Sequence, residues 1–426
     1  MIKHILKQMW NKRRANAWIF LELVLVTFFM WGVIDPVYVL LSNRAIDPGY
    51  RIDNVFRLTV GQYQSVHRKY NRELDTDSIR RVHFLHMYDL VRNYPGVESA
   101  VVTNGQQYPL SNAASTSSLK YDTIQGYALI MSFYREGEFF KVFRMQDVNT
   151  GTVPDHRDPG VKAIYLTRGL ERKLSPDKGL TEQNIHQNYG SDTVYSTVKG
   201  IMPGFKRLSN EQPLSTQFIP LAKVDVANFP WSSQICFRIR DGLSKERFAE
   251  QFRQEMTSNL AVGNLYLLSL TDFEAIYKQS EFEHGVTNKL RLQIGLALFF
   301  LACTFLGVSG TFWLRSDARR SETGLRMALG GSRKNILREF LAESWCITTL
   351  AWLVGIFFVL QRVYFTGFAE PPESANDDYL QNLFVPHFTI VSIIVYILML
   401  FIALTGTWIP ARQAASVQPA VALHEE

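Results

Sequence analysis

Apolar residues in this 426-residue chain gather in four long blocks. The first runs from Ala15 to Leu41, the second from Leu292 to Leu314, the third from about Trp345 to Leu360, and the fourth from Phe388 to Trp408. A helix needs about 20 mainly apolar residues to cross a hydrocarbon core. The first, second and fourth blocks meet that length outright. The third is interrupted by Thr348, Thr349 and Gly355, but its apolar flanks (Phe340, Leu341, Val363 and Phe365) extend it. The pattern predicts four transmembrane helices, at 17–41, 290–314, 345–365 and 388–410.

Between the first two blocks, residues 42–288 carry the pattern of a soluble α+β domain. Ile79, Val82, Leu85, Leu90 and Val91 recur at near-helical spacing, which predicts a helix over Asp75–Asn93 that Pro95 and Gly96 end. Val97–Thr103 follows as a strand. Ser233–Arg240 alternates as another, after which Ser244 caps a helix over Lys245–Asn259 and Val262–Leu270 reads as the next strand. Two such halves pack as one split ferredoxin-like layer. The stretches 149–160 and 175–192 are rich in Gly, Asp, Asn and Ser, with short strands at Ala163–Leu166 and Tyr195–Met202. They predict an inserted β-rich subdomain at about 140–215. The expected fold class is an α+β integral membrane protein: four transmembrane helices, with this domain between helices 1 and 2.

Charge sets the expected orientation. Lys3, Lys7, Lys12, Arg13 and Arg14 precede the first block, and Arg315, Arg319, Arg320, Arg326, Arg333, Lys334 and Arg338 follow the second. The loop at 366–387 is acidic (Glu370, Glu373, Asp377 and Asp378), and the tail at 411–426 has Arg412. Basic flanks face the cytoplasm, so both termini and the loop at 315–344 are expected inside and the large domain periplasmic. Within residues 1–16, Ile2, Ile5, Leu6, Met9 and Trp10 share one helical face, as in a helix lying on the inner interface of the bilayer. No small-x-small cleavage site follows the first block, which reads as a retained anchor. The net charge of +6 is largely accounted for by these flanks and gives no case for nucleic acid.

Candidate chemistry is sparse. Cys236, Cys303 and Cys346 are the only cysteines and build no disulfide framework. His83 and His86 lie three apart on a helix without an evident third metal ligand. No Gly-x-x-x-x-Gly-Lys-Ser/Thr phosphate loop and no hydrolase or metalloprotease motif occurs. Catalytic, cofactor and metal residues are therefore expected to be absent, and the chain is not expected to be an enzyme. Glu22 in the first block is costly in hydrocarbon and calls for a partner on a neighbouring helix or at the interface. Asp35-Pro36 predicts a kink near the outer face.

The richest segment is Glu322–Ser344. Leu325, Ala328 and Leu329 share a face, Gly330-Gly331 breaks that helix, and Ser332 caps the next, whose apolar side holds Ile336, Leu337, Phe340 and Leu341. On periodicity and charge alone, such a basic loop equally suits an anionic lipid surface. However, Glu322, Gly324, Leu325, Arg326, Ala328, Leu329, Gly330, Ser332, Arg333 and Glu343 together resemble the signature of MacB/FtsX-type ABC transporter permeases. The tail from Pro410 to Leu423 resembles that family's closing motif. Gly137–Met145 and Val198–Lys206 resemble segments flanking its periplasmic insert, although Asp147–Gly151 stands where the family has Gly-Arg-x-Phe. The resemblance implies that residues 322–333 dock on a separate ABC-type ATPase that binds Mg-ATP. It also implies a second permease chain, identical or related, and mechanotransmission for export or efflux, with a periplasmic adaptor and an outer-membrane duct as further partners. Its alternatives are an FtsX-like regulator of a cell-wall hydrolase and a lipoprotein-releasing permease. An ATPase-independent membrane sensor is the reading without coupling.

Overall fold

The computed structural model describes residues 13–111, 115–157, 162–189, 192–318, 332–367 and 377–416. The amphipathic segment expected before residue 13 lies outside them. Two compact units emerge, one formed by residues 43–286 and the other by 1–42 with 287–426.

The first unit begins with β1 (Val55–Gln62), α2 (Asp77–Arg92) and β2 (Val97–Asn104), and ends with β9 (Ser233–Ile239), α5 (Lys245–Asn259), β10 (Leu265–Asp272) and α6 (Phe273–Glu283). β10, β1, β9 and β2 lie side by side in that order, antiparallel throughout. This is the split ferredoxin-like layer. Helix α2 starts at Thr76, whose hydroxyl accepts from the Ile79 amide, and α5 starts at Ser244, which accepts from Arg247. The buried stripe of α2 is Phe84, Met87, Tyr88 and Val91, at i, i+3, i+4 and i+7. Val82, expected on that face, is 66% exposed because it falls outside this stripe.

Alternation along β9 serves two cores. Ile235, Phe237 and Ile239 join Phe84, Phe248 and Phe252 under the helices, while Cys236 points to the opposite face, toward Phe133, Phe139, Phe140 and Phe218. Arg238 is fully buried on that second face. Its guanidinium donates to the carbonyls of Arg51, Asp53 and Val142, which ties the loop before β1 to the short helix α3 (Phe139–Val142).

The remaining strands are β3 (Thr116–Tyr121), β4 (Ile124–Tyr134), β5 (Ala163–Thr167), β6 (Asn184–Tyr189), β7 (Asp192–Met202) and β8 (Thr216–Leu221), with α4 (Arg168–Leu174) after β5. They run β4-β3-β6-β7-β5-β8, and β8 returns to pair with β4, which closes a six-stranded barrel. A single residue pair, Thr103 with Phe133, joins it to the four-stranded layer. The strands of the insert therefore run from β3 to β8, wider than the 140–215 read from composition. The reason is that β3 and β4 complete the barrel and cannot be separated from it. Ser117, Gln187, Ser196 and Gln217, from four different strands, form a buried chain of side-chain hydrogen bonds inside this insert.

The second unit holds α1 (Arg13–Ala45, its last residues counted with the first unit), α7 (Val286–Ala318), α8 (Arg333–Thr366) and α9 (Asp377–Ser416). Each contains a stretch long and apolar enough to span a membrane: Ala17–Ala45, Val286–Leu314, Arg333–Thr366 and Phe384–Gln413. α1 is unbroken through Pro36. α8 buries one stripe that includes Ile336, Phe340, Ser344, Ile347, Ala351, Gly355, Val359 and Val363. Gly355 lets α8 approach α1 closely. A Cβ there would fall 2.8 Å from Thr27 Cβ and 3.2 Å from the Val24 carbonyl oxygen.

Two outcomes follow. Burial pushes the Cys236 thiol up to about 12, against the lowering effect of Arg57. A thiol so placed is ~10⁻⁴ ionised at pH 8, so Cys236 will resist maleimide in the folded protein between pH 7 and 9 and react once unfolded. Peptide mass spectrometry reads this, and labelling of the folded chain would contradict the packing. Second, Gly355→Ala will lower the melting temperature in detergent, by an overpacking cost of about 1–3 kcal/mol. Gly295→Ala, where an added Cβ meets nothing within 4 Å, will not. Equal melting of both variants would exclude the close approach.

Candidate functional site

The candidate site is the helix bundle together with the segment that enters α8. Of the residues singled out from sequence, Glu322, Gly324, Leu325, Arg326, Ala328, Leu329 and Gly330 lie outside the described residues. Ser332 and Arg333 lie within them. Ser332 is the N-cap of α8, its Oγ accepting from the Asn335 amide at 3.3 Å. Arg333 is the first residue of the helix, and Ser332, Arg333, Lys334 and Asn335 are all exposed. One turn further, Ile336 and Phe340 are buried in the bundle core with Leu337 packed against it. Glu343 is buried as well. The helix thus changes from a polar, exposed start to a packed stem within one turn.

That stem is pinned to its neighbours by polar contacts in an otherwise apolar environment. Thr407 Oγ1 of α9 lies 2.9 Å from Ser344 Oγ, which itself donates to the Ala403 carbonyl at 3.3 Å. Further along, Thr349 Oγ1 and Tyr396 Oη are 3.0 Å apart. The Trp352 indole donates to the Ser392 carbonyl at 3.2 Å, and Trp31 of α1 donates to the Ser392 hydroxyl at 3.3 Å. Ser392 thereby joins α1 and α8 to α9. Near the other end, His387 Nε2 sits 2.7 Å from Asp35 Oδ1, both side chains 2% exposed, with the Tyr38 ring against the imidazole at 4.8 Å. Such contacts are favourable in hydrocarbon, where water offers no alternative. Glu22 packs over Gly307 of α7, where an added Cβ would fall 2.0 Å from its Oε1. Glu22 thus lies against α7, at a residue that brings no side chain to pair with it.

Periodicity singled out none of Ser344, Ser392, Tyr396 or Thr407. The available signal was the recurrence of small and hydroxyl residues within apolar runs, which does not say which helix each will meet. Among the described residues no three His, Cys, Asp or Glu side chains gather as a metal site. His83 is half-buried and His86 exposed on α2. The arrangement ties α8 to α9 at several levels, and through Ser392 also joins α1 to α9.

Residues 294–419 match the family described as FtsX-like permease C-terminal. The macrolide export ATP-binding/permease protein MacB of Salmonella typhimurium is 23% identical over 300 residues, covering 68% of this chain and 42% of that protein. Its counterpart from Neisseria gonorrhoeae is 24% identical over 265 residues, covering 61% and 40%. The chain therefore spans about two fifths of the length of the curated relatives it matches. Among solved structures, the periplasmic region of MacB from Actinobacillus actinomycetemcomitans aligns with TM-score 0.35 and 11% identity, covering 55% of this chain and 94% of that one. The extracellular domain of the noncanonic ABC-type transporter YknZ from Gram-positive bacteria aligns with TM-score 0.31 and 11% identity, covering 50% and 100%. With residues 294–419 matching the FtsX-like permease C-terminal family and four helices long and apolar enough to cross a membrane, the chain is a multi-pass inner-membrane protein with a periplasmic domain that carries an FtsX-like permease domain and is similar to MacB-type permeases.

Proposed function

We propose that this permease couples ATP hydrolysis on a separate ABC-type ATPase subunit to movement of its periplasmic domain, and that the movement drives export or efflux by mechanotransmission. The observation that carries the reading is α8: a single helix whose exposed N-terminus, Ser332–Asn335, adjoins the signature segment and whose stem is bonded to α9. Force applied to residues 322–333 by a closing ATPase dimer would enter a helix that is hydrogen-bonded to its neighbour. The 426 residues contain no phosphate loop, so Mg-ATP is bound by a domain outside them. The charge distribution supports cytoplasmic termini and a cytoplasmic signature loop.

Four helices are too few to enclose a wide pore, and two such chains in a working unit are part of the reading. α7 supports it: only 11% of its apolar window is buried, against 28–39% for the other three. Substrate is then handled on the periplasmic side rather than passed between the helices, with an adaptor and outer-membrane duct as downstream partners.

Purification of the full chain from its native membrane in mild detergent, followed by mass spectrometry and an ATP-hydrolysis assay, tests this. The expected result is a co-purifying ABC-type ATPase whose association weakens about tenfold or more, ~1.4 kcal/mol, in Arg326→Ala and Gly330→Leu. Absence of any ATPase from a folded preparation would overturn the coupling and favour a membrane sensor. A co-purifying cell-wall hydrolase would favour the regulator over export.

A further inference from the structure

Lys206 is 2% exposed. Among the described residues it has no carboxylate within ion-pair distance, which is unusual for a lysine, a residue rarely buried without a charged partner. Its Nζ instead donates to the Asn43 carbonyl at 2.7 Å and to the Ile46 carbonyl at 3.2 Å. These oxygens belong to the last turn of α1 and the residue just beyond it, where a helix leaves carbonyls unsatisfied and carries partial negative charge. The ammonium is thus the C-terminal cap of α1, supplied from 163 residues away. Burial pushes Lys206 below its ordinary value, partly offset by the Asp47 carboxylate. Neighbouring Phe205 fixes the backbone that delivers it, its ring 5.3 Å from Tyr50 and 5.6 Å from Phe218 of β8.

The same short segment grips a second element. Asn43 Nδ2 donates to the Asn210 carbonyl at 2.9 Å. Glu281, in the last turn of α6, accepts from Arg44 at 2.5 Å, from Ser209 Oγ at 2.8 Å and from Tyr277 Oη at 2.9 Å. Burial pushes Glu281 up, but Ser209, Tyr277 and Arg44 together outweigh it and hold its carboxyl below the usual range, so it is ionised at neutral pH. Residues 206–210, between β7 and β8 of the barrel, therefore hold the chain at two points. One is where it leaves α1, and the other is the end of α6, just before α7 begins.

We propose that Lys206, with Ser209 and Glu281, is the positioning clamp through which displacement of the membrane helices is delivered to the six-stranded barrel. The proposal rests on the coupling reading above. With the clamp closed, the barrel follows the ends of α1 and α6. With it open, the four-stranded layer still follows, because β1 and β10 are continuous with those helices in the chain, but the barrel is driven only through the aromatic core it shares with that layer and follows weakly.

Hydrogen–deuterium exchange on the full chain with its ATPase in lipid nanodiscs, with and without ATP plus vanadate, tests it. In the native protein, nucleotide will change exchange both in 322–343 and in the barrel peptides 163–189 and 216–221. In Lys206→Met the barrel response will fall about tenfold, while ATP hydrolysis, the 322–343 response and basal barrel protection persist. Lys206→Arg, which keeps the donors, will restore the barrel response, a rescue that loss of folding alone would not allow. If Lys206→Met fails to fold, Glu281→Gln carries the test and will reduce the same response. An undiminished barrel response in these variants overturns the clamp and leaves coupling intact, as does a native protein that responds at 322–343 but not in the barrel. A native protein with no nucleotide response anywhere overturns the coupling reading and the clamp with it.

Discussion

Hydrocarbon supplies no hydrogen-bond partner, and that constraint orders the membrane half of this protein. A polar side chain carried into the apolar windows is stabilised by a partner within the bundle or by reaching the interface; the Ser309 and Thr348 hydroxyls have none among the described residues, but several others do. Asp35 meets His387, the Trp31 and Trp352 indoles both meet Ser392, and Ser344 meets Thr407 and the Ala403 carbonyl. Because lipid tails are as apolar as leucine, these bonds and the close approach at Gly355 decide which helix lies against which. They also decide stiffness. A bundle held only by interchangeable apolar contacts can slide, whereas one pinned at several levels along α8 and α9 moves as a body.

The periplasmic unit solves a different problem, that of joining two β architectures without merging them. The four-stranded layer buries one face under α2 and α5 and its other face against the phenylalanines around α3, so each β9 residue commits to one core or the other. Arg238 is the polar member of that second face. Held by three backbone carbonyls, it converts two loops and a strand into one rigid corner. The barrel touches this layer through a single ladder pair and the shared aromatic core. A connection with so little ladder hydrogen bonding leaves the barrel dependent on side chains for its orientation.

Legibility in the sequence followed the range of the interactions involved. The four spans, the α5 helix with its Ser244 cap and the strand at β9 were readable because length, capping and alternation are local signals. The ferredoxin-like pairing followed from the order of those elements. What escaped was non-local. Thr116–Tyr121 is too polar to announce itself as a strand, and only its pairing with β4 and β6 makes it one, so the insert read narrower than it is. Asp147, standing where the family pattern has another motif, accepts from the Asn149, Thr150 and Ile201 amides and builds its own turn against β7. Within the signature, the Ser332 cap was evident from residue type, since it acts on the Asn335 amide three residues away. The helix that α8 would grip was not evident, since α9 is reached only through the fold.

Lys206 is the sharpest case of this limit. In sequence it closes the segment Val198–Lys206, whose resemblance marks the end of the insert but assigns the lysine no partner; in the fold it is buried, bonded to helix-end carbonyls, with the Asp47 carboxylate acting on it only at a distance. A hydrophobic residue would fill the same space without the cost of burying a charge. What it would not do is bond directionally to Asn43 and Ile46, and direction is what a joint transmitting displacement needs. An apolar contact resists compression but yields to tension and shear. A charged donor holding two backbone carbonyls, beside a carboxylate holding Arg44, Ser209 and Tyr277, resists pulling as well as pushing. On the coupling proposed above, the burial of polar groups at the end of α1 and their pairing along α8 and α9 would answer one mechanical requirement.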